Sequence, residues 1–80
     1  MTVSALVVTL LPEPGPRRAV LDLLAGDPRL TLGEPIVDRL PLVAETRSCA
    51  DGEALVRELE ALGGVARIDV IAIDFSEEIS

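Results

Sequence analysis

Carboxylates, guanidiniums and one thiol carry the titratable side-chain chemistry of this chain, which has 14 Asp+Glu, 7 Lys+Arg, one Cys and no His. Paired carboxylates serve acid–base catalysis when they converge on one substrate. Here Glu77-Glu78 stand in an acidic tail, and Glu58 and Glu60 do not share a helix face. Cys49 precedes a predicted helix, where a thiolate is favoured, but no His or Lys is present to activate it. Without His or a second Cys there is no imidazole or Cys-rich metal site and no intrachain disulfide. The glycines Gly15 and Gly63-Gly64 make no phosphate-binding pattern, and a P-loop needs a Lys that the chain lacks. The expectation is therefore a protein with no catalytic residues, no metal and no cofactor.

The elements that position these groups follow from composition and spacing. Eighty residues at 49% hydrophobic and 26% charged suffice for one domain over residues 1–80 and are too apolar for disorder. A net charge of -7 argues against nucleic acid, whose phosphates need a basic surface, and for a cationic peptide or protein as partner. No stretch is long enough to span a membrane. Arg17-Arg18 are expected in the first turn of a helix rather than in an export signal, because Asp22 interrupts the apolar segment behind them. The unstapled, single-cysteine chain suits a reducing cytoplasm.

Val3 to Leu11 is a β-branched, apolar run that reads as a strand, closed by Pro12 to Pro16. Arg17 to Ala25 follows as an amphipathic helix with Pro16 at its first position, Val20, Leu21 and Leu24 on one face, and Gly26 as cap. Leu30-Thr31-Leu32 begins a second strand, whose nearby Pro35 favours an edge position, and Asp38-Arg39 marks the turn. Leu40 to Thr46 is the third strand. Ser48 or Asp51 caps a second helix with Leu55, Val56, Leu59 and Leu62 as its stripe, stopped at Gly63-Gly64. Val65 to Phe75 is the last strand.

The order βαββαβ predicts an α+β, ferredoxin-like sandwich: a four-stranded antiparallel sheet, ordered 4-1-3-2, with two helices on one face. The other face is left open. Strand parity assigns Leu6, Val8, Leu42, Ala44, Ile68, Val70 and Ala72 to the helix side. It leaves Val3, Ala5, Val7, Val43, Ile71, Ile73 and Phe75 as an apolar patch on the open face, with Glu45 and Asp69 beside it. Glu34 and Asp38 are assigned to the rim. A patch of this size is a docking surface, for a peptide or for a second copy in a weak homodimer.

Ala5-Leu6-Val7-Val8, Leu42-Val43-Ala44-Glu45, Asp51-Gly52-Glu53-Ala54-Leu55, Gly64-Val65 and the acidic finish together resemble the NapD family over nearly the whole chain. The pattern departs from that family in the proline-rich Pro12 to Pro16 connection and at Ala72, where an aromatic residue is expected. The resemblance implies a cytoplasmic chaperone that binds the twin-arginine signal peptide of the catalytic subunit of periplasmic nitrate reductase. Such a chaperone holds back export until molybdenum cofactor and iron–sulfur cluster are loaded, and carries no cofactor itself. The apolar open face would meet the signal's hydrophobic stretch, and the acidic groups its arginines. The alternative reading is an ACT-like module that senses a small molecule or serves dimerisation.

Overall fold

Alternation in the first strand decides where the core lies. The computed structural model describes residues 2–75, without the side chains of Asp74 and Phe75, so the acidic tail and the Phe75 side chain lie outside the described residues. Strand β1 (Thr2–Leu10) is buried at every even position and half-buried at every odd one. Strands β3 (Arg39–Thr46) and β4 (Val65–Phe75) flank it, and the short β2 (Leu30–Leu32) pairs with the outer edge of β3. All pairings are antiparallel and the order is β2-β3-β1-β4, as the element pattern predicts.

Helix α1 (Pro14–Ala25) begins earlier than the expected Arg17. The reason is local: the first N–H groups of a helix have no intrahelical partner, so Pro14 and Pro16 forfeit no hydrogen bond there. The first helical bond is donated by the Arg17 amide to the Glu13 carbonyl at 3.1 Å. Gly15 thus lies in the first turn of α1 and not in a binding loop. Helix α2 (Cys49–Glu60) is capped by Ser48, whose Oγ accepts from the Asp51 amide at 3.2 Å. Asp51 in its first turn complements the positive end of the helix.

Val20 and Leu24 of α1 and Leu55 and Leu59 of α2 pack into one cluster with Leu6, Val8, Leu10, Leu30, Leu40, Leu42 and Ala44. Both helices therefore cover the same sheet face. Buried Gly64 lets the start of β4 approach α1: a Cβ there would lie 2.5 Å from the Pro16 carbonyl oxygen and collide with Val20 Cγ2. The β2–β3 connection closes through paired backbone bonds of Ile36 and Arg39, at 2.8 and 3.0 Å. Val37 at its tip has φ 57°, a left-handed conformation unfavourable for a β-branched residue. No helix among the described residues is long and apolar enough to cross a membrane.

Candidate functional site

The face opposite the helices is built from the odd positions of β1 and their cross-strand partners. Val3 pairs with Glu45, Ala5 with Val43 and Val7 with Pro41 on β3; Ala5 pairs with Ala72 and Val7 with Asp69 on β4. Paired residues share a face, so these side chains converge on one surface. Ala5, Val7, Val43 and Ile71, with Thr31, Gly33 and Pro41, line a shallow depression of about 400 Å³ in it. Ile71 is 63% exposed and Val43 36%, the two most prominent apolar groups there. Val3, Ala5, Val7, Val43, Glu45, Asp69 and Ile71 are thus all where parity puts them.

Ile73 is not. The β1–β4 register jumps between Ala5↔Ala72 and Leu6↔Val70, which leaves Ile71 as an extra, unpaired residue. Such a bulge reverses the facing of every residue beyond it. Ala72 therefore moves to the open face, while Ile73, opposite buried Ser4, goes to the helix side and borders a groove with α2. Phe75, opposite Thr2, shares that register; its side chain lies outside the described residues. No residue type in Val70-Ile71-Ala72-Ile73 signals the bulge, since all four are aliphatic and any of them packs on either face.

The charges on this surface are unevenly spread. Arg39 and Arg67 both pair with Thr9 at one end of the open face, where Arg39 has no ion-pair partner among the described residues and leaves that end basic by one charge. Glu45, opposite Val3, lies at the other end. From the Val3 row to the Thr9 row the strand rises roughly 20 Å, at about 3.4 Å per residue. Asp69 is engaged by Arg67, whose Nη2 donates to Oδ1 at 2.7 Å. Asp38 is likewise engaged, accepting from Arg17 Nη1 at 2.6 Å while Arg17 Nη2 donates to the Val37 carbonyl. Glu34 is exposed in the segment after β2. Glu45 is left as the acid of the apolar face with no ion-pair partner among the described residues.

Beside Glu45 a second cleft of about 400 Å³ is lined by Arg29, Arg47, Asp51 and Glu58. Arg29 is taken up by Asp27, donating through Nη2 to Oδ2 at 2.7 Å and through Nε to Oδ1 at 3.1 Å. That hydrogen bonding holds the Asp27 carboxyl below its ordinary range and the Arg29 guanidinium above its own. Three carboxylates against two guanidiniums leave the Glu45 end acidic. Pro41 shares its face with Val43 and Glu45 by parity; Arg39, expected in the turn, is instead the first residue of β3 and falls on the same face, and Thr31 joins it through its pairing with Val43.

No family model matches the chain, and no curated protein or solved structure does. The surface itself is suited to binding: it offers apolar area at the centre, the unpaired Glu45 at one end and the unpaired Arg39 at the other. Cys49 is exposed at the start of α2, away from that surface.

Proposed function

We propose that this chain is a cytoplasmic maturation chaperone that binds a twin-arginine signal peptide on its open sheet face. In this reading the client is the catalytic subunit of a periplasmic nitrate reductase, whose export waits on cofactor loading, and the chaperone has no catalytic role. The observation that carries the reading is the uncovered face itself. An aliphatic depression around Ala5, Val43 and Ile71 suits the signal's apolar stretch, and Glu45 at its end suits an arginine. Arg–carboxylate pairing is directional and strengthens as water is excluded. The sequence resemblance to the NapD family supports the same partner.

The charge distribution also orients the peptide. Its two arginines belong at the Glu45 end, and its apolar segment runs over Val43 and Ile71, so that the arginines stay clear of Arg39. The weak homodimer of the free chain would compete for the same face.

Calorimetric titration with a synthetic twin-arginine peptide tests this at low and high salt. Glu45→Arg should weaken binding most at low salt, because the lost attraction is screened by ions. Ile71→Asp should weaken it at least tenfold at any salt, since a charge then has to be desolvated in the contact. Ile73→Asp, on the opposite side of the sheet, should bind as the parent does, and Leu59→Asp in the core should unfold the domain. Arg39→Glu should change affinity little; a large gain would reverse the orientation. Parental affinity in both Glu45→Arg and Ile71→Asp would remove the open face as the site. Saturable binding of free amino acids instead of the peptide would favour the ACT-like alternative.

A further inference from the structure

Arg39 and Glu45, the two charges of the open face with no ion-pair partner among the described residues, lie on one strand. Both are exposed, and they stand at equal distances on either side of Leu42, roughly 10 Å each way at about 3.4 Å per residue. Pro41 and Val43 occupy the next open-face positions inward, again one on each side of Leu42. The neighbouring strands repeat this arrangement. Leu6, the register partner of Leu42 on β1, lies between Ala5 and Val7, and Leu32, its partner on β2, lies between Thr31 and Gly33. The centre of the face is therefore two rows: Thr31, Val43 and Ala5 in one, Gly33, Pro41 and Val7 in the other.

Such a pattern is complementary to itself. A two-fold axis lying against the face, perpendicular to the strands at the level of Leu42, exchanges the two rows between copies. It sets Val43 of one copy over Pro41 of the other, Ala5 over Val7 and Thr31 over Gly33, so that in the last two a larger group meets a smaller one. The same rotation brings Glu45 of each copy over Arg39 of the other, making two pairs by symmetry. An axis along the strands would instead set Glu45 on Glu45 and Arg39 on Arg39, and like charges in register oppose association. Sheets packed face to face lie about 10 Å apart and cross at about 30°. That crossing shifts groups 10 Å from the axis by only about 5 Å, within reach of a glutamate and an arginine side chain.

Size decides strength. Four strands at about 4.8 Å and the roughly 20 Å between the two charges outline about 400 Å² per copy, or about 800 Å² in all. Stable interfaces bury about 1,200–2,000 Å². The net charge of -7 on each copy also opposes association, but in about 0.15 M salt fields fade beyond about 8 Å, which damps that repulsion and spares pairs in contact. We infer that the free chain forms a weak face-to-face homodimer about a two-fold axis at Leu42, in which Arg39 of each copy pairs with Glu45 of the other. The dimer covers the face that the proposed function gives to a peptide, with Arg39 of the second copy in the place of the peptide's arginine. Its geometry does not depend on that reading.

Sedimentation equilibrium of the full chain without peptide tests this, followed by interference optics because the chain has no Trp or Tyr. In about 0.15 M salt the parent should show a reversible monomer–dimer equilibrium with a Kd of about 0.1–1 mM. Glu45→Arg or Arg39→Glu alone turns both symmetry-related pairs into like-charge contacts and should weaken the dimer about tenfold or more. The double variant Glu45→Arg/Arg39→Glu keeps the parent's net charge, restores both pairs and should dimerise within about threefold of the parent. An equimolar mixture of the two single variants should dimerise as well, because each supplies the charges the other lacks. A parent that stays monomeric to about 2 mM, or single variants that dimerise as the parent does, would overturn the inference. A double variant or a mixture as weak as the single variants would overturn it too. None of these outcomes bears on peptide binding, which the calorimetric titration reads separately.

Discussion

Two threonines that face each other across β1 and β3 should respond to the same substitution with opposite signs. Thr2 and Thr46 are register partners, both buried, at 1% and 7% exposure. Thr46 Oγ1 donates to the Ser48 carbonyl at 3.1 Å, whereas Thr2 Oγ1 has no partner among the described residues. Valine has nearly the shape of threonine, so replacement changes the hydroxyl and little else. At Thr46 it removes a made bond, while the Ser48 carbonyl keeps the Gly52 amide as donor at 3.0 Å, a loss of about 1 kcal/mol. At Thr2 it removes a group that was stripped of water with nothing in exchange, a gain of about 1–2 kcal/mol. For a domain of this size 1 kcal/mol corresponds to roughly 4–8 °C in Tm. Thr2→Val should therefore melt above the parent and Thr46→Val below it. Because the chain has no Trp or Tyr, urea and thermal unfolding are followed by far-ultraviolet circular dichroism. A common slope against denaturant would show that the native state and not the compactness of the unfolded chain has changed. Destabilisation by Thr2→Val would mean that its hydroxyl is bonded in solution, and would refute the reasoning.

Gly64→Ala should destabilise by about 2–3 kcal/mol or prevent folding, because its Cβ would press on the backbone carbonyl of Pro16 and on Val20; a melting temperature equal to the parent's would refute that packing. Val37→Gly should raise stability by up to about 1 kcal/mol: the left-handed conformation is relieved and an 81% exposed side chain loses no packing, at some cost in chain entropy. Denaturant midpoints read both. Asp27, held below its ordinary value of 3.8 first by the hydrogen bond from Arg29, contributes stability above that value and loses it as pH falls through its folded-state pKa. The parent's advantage over Asp27→Asn, measured by urea unfolding, should accordingly be present at about pH 5 and shrink by about pH 3; a pH-independent difference would contradict the shift.

Element order and fold class were legible in the chain because each boundary is marked by a residue with a backbone constraint. Prolines at 12, 14 and 16 end β1 and fit the first turn of α1, and Ser48 supplies the cap of α2. Strand parity likewise placed Val3, Ala5, Val7, Val43 and Glu45 together on the open face, since in a regular strand the facing of one residue fixes that of all the others. Tertiary structure alone decided the rest. The bulge at Ile71 sends Ile73 to the helix side and Ala72 to the open one, and four consecutive aliphatic residues hold no record of which of them is left unpaired. The pairing of Asp69 with Arg67 and of Asp38 with Arg17 singles out Glu45 as the available acid, a result of which charges happen to meet in space. Gly64 reads locally as a helix stop, yet its lack of a side chain is required by α1, more than forty residues earlier in the chain. The unsatisfied hydroxyl of Thr2 belongs to the same class: burial and partnership are properties of the assembled sheet and helix, and a threonine in sequence is only a β-branched residue with a polar atom.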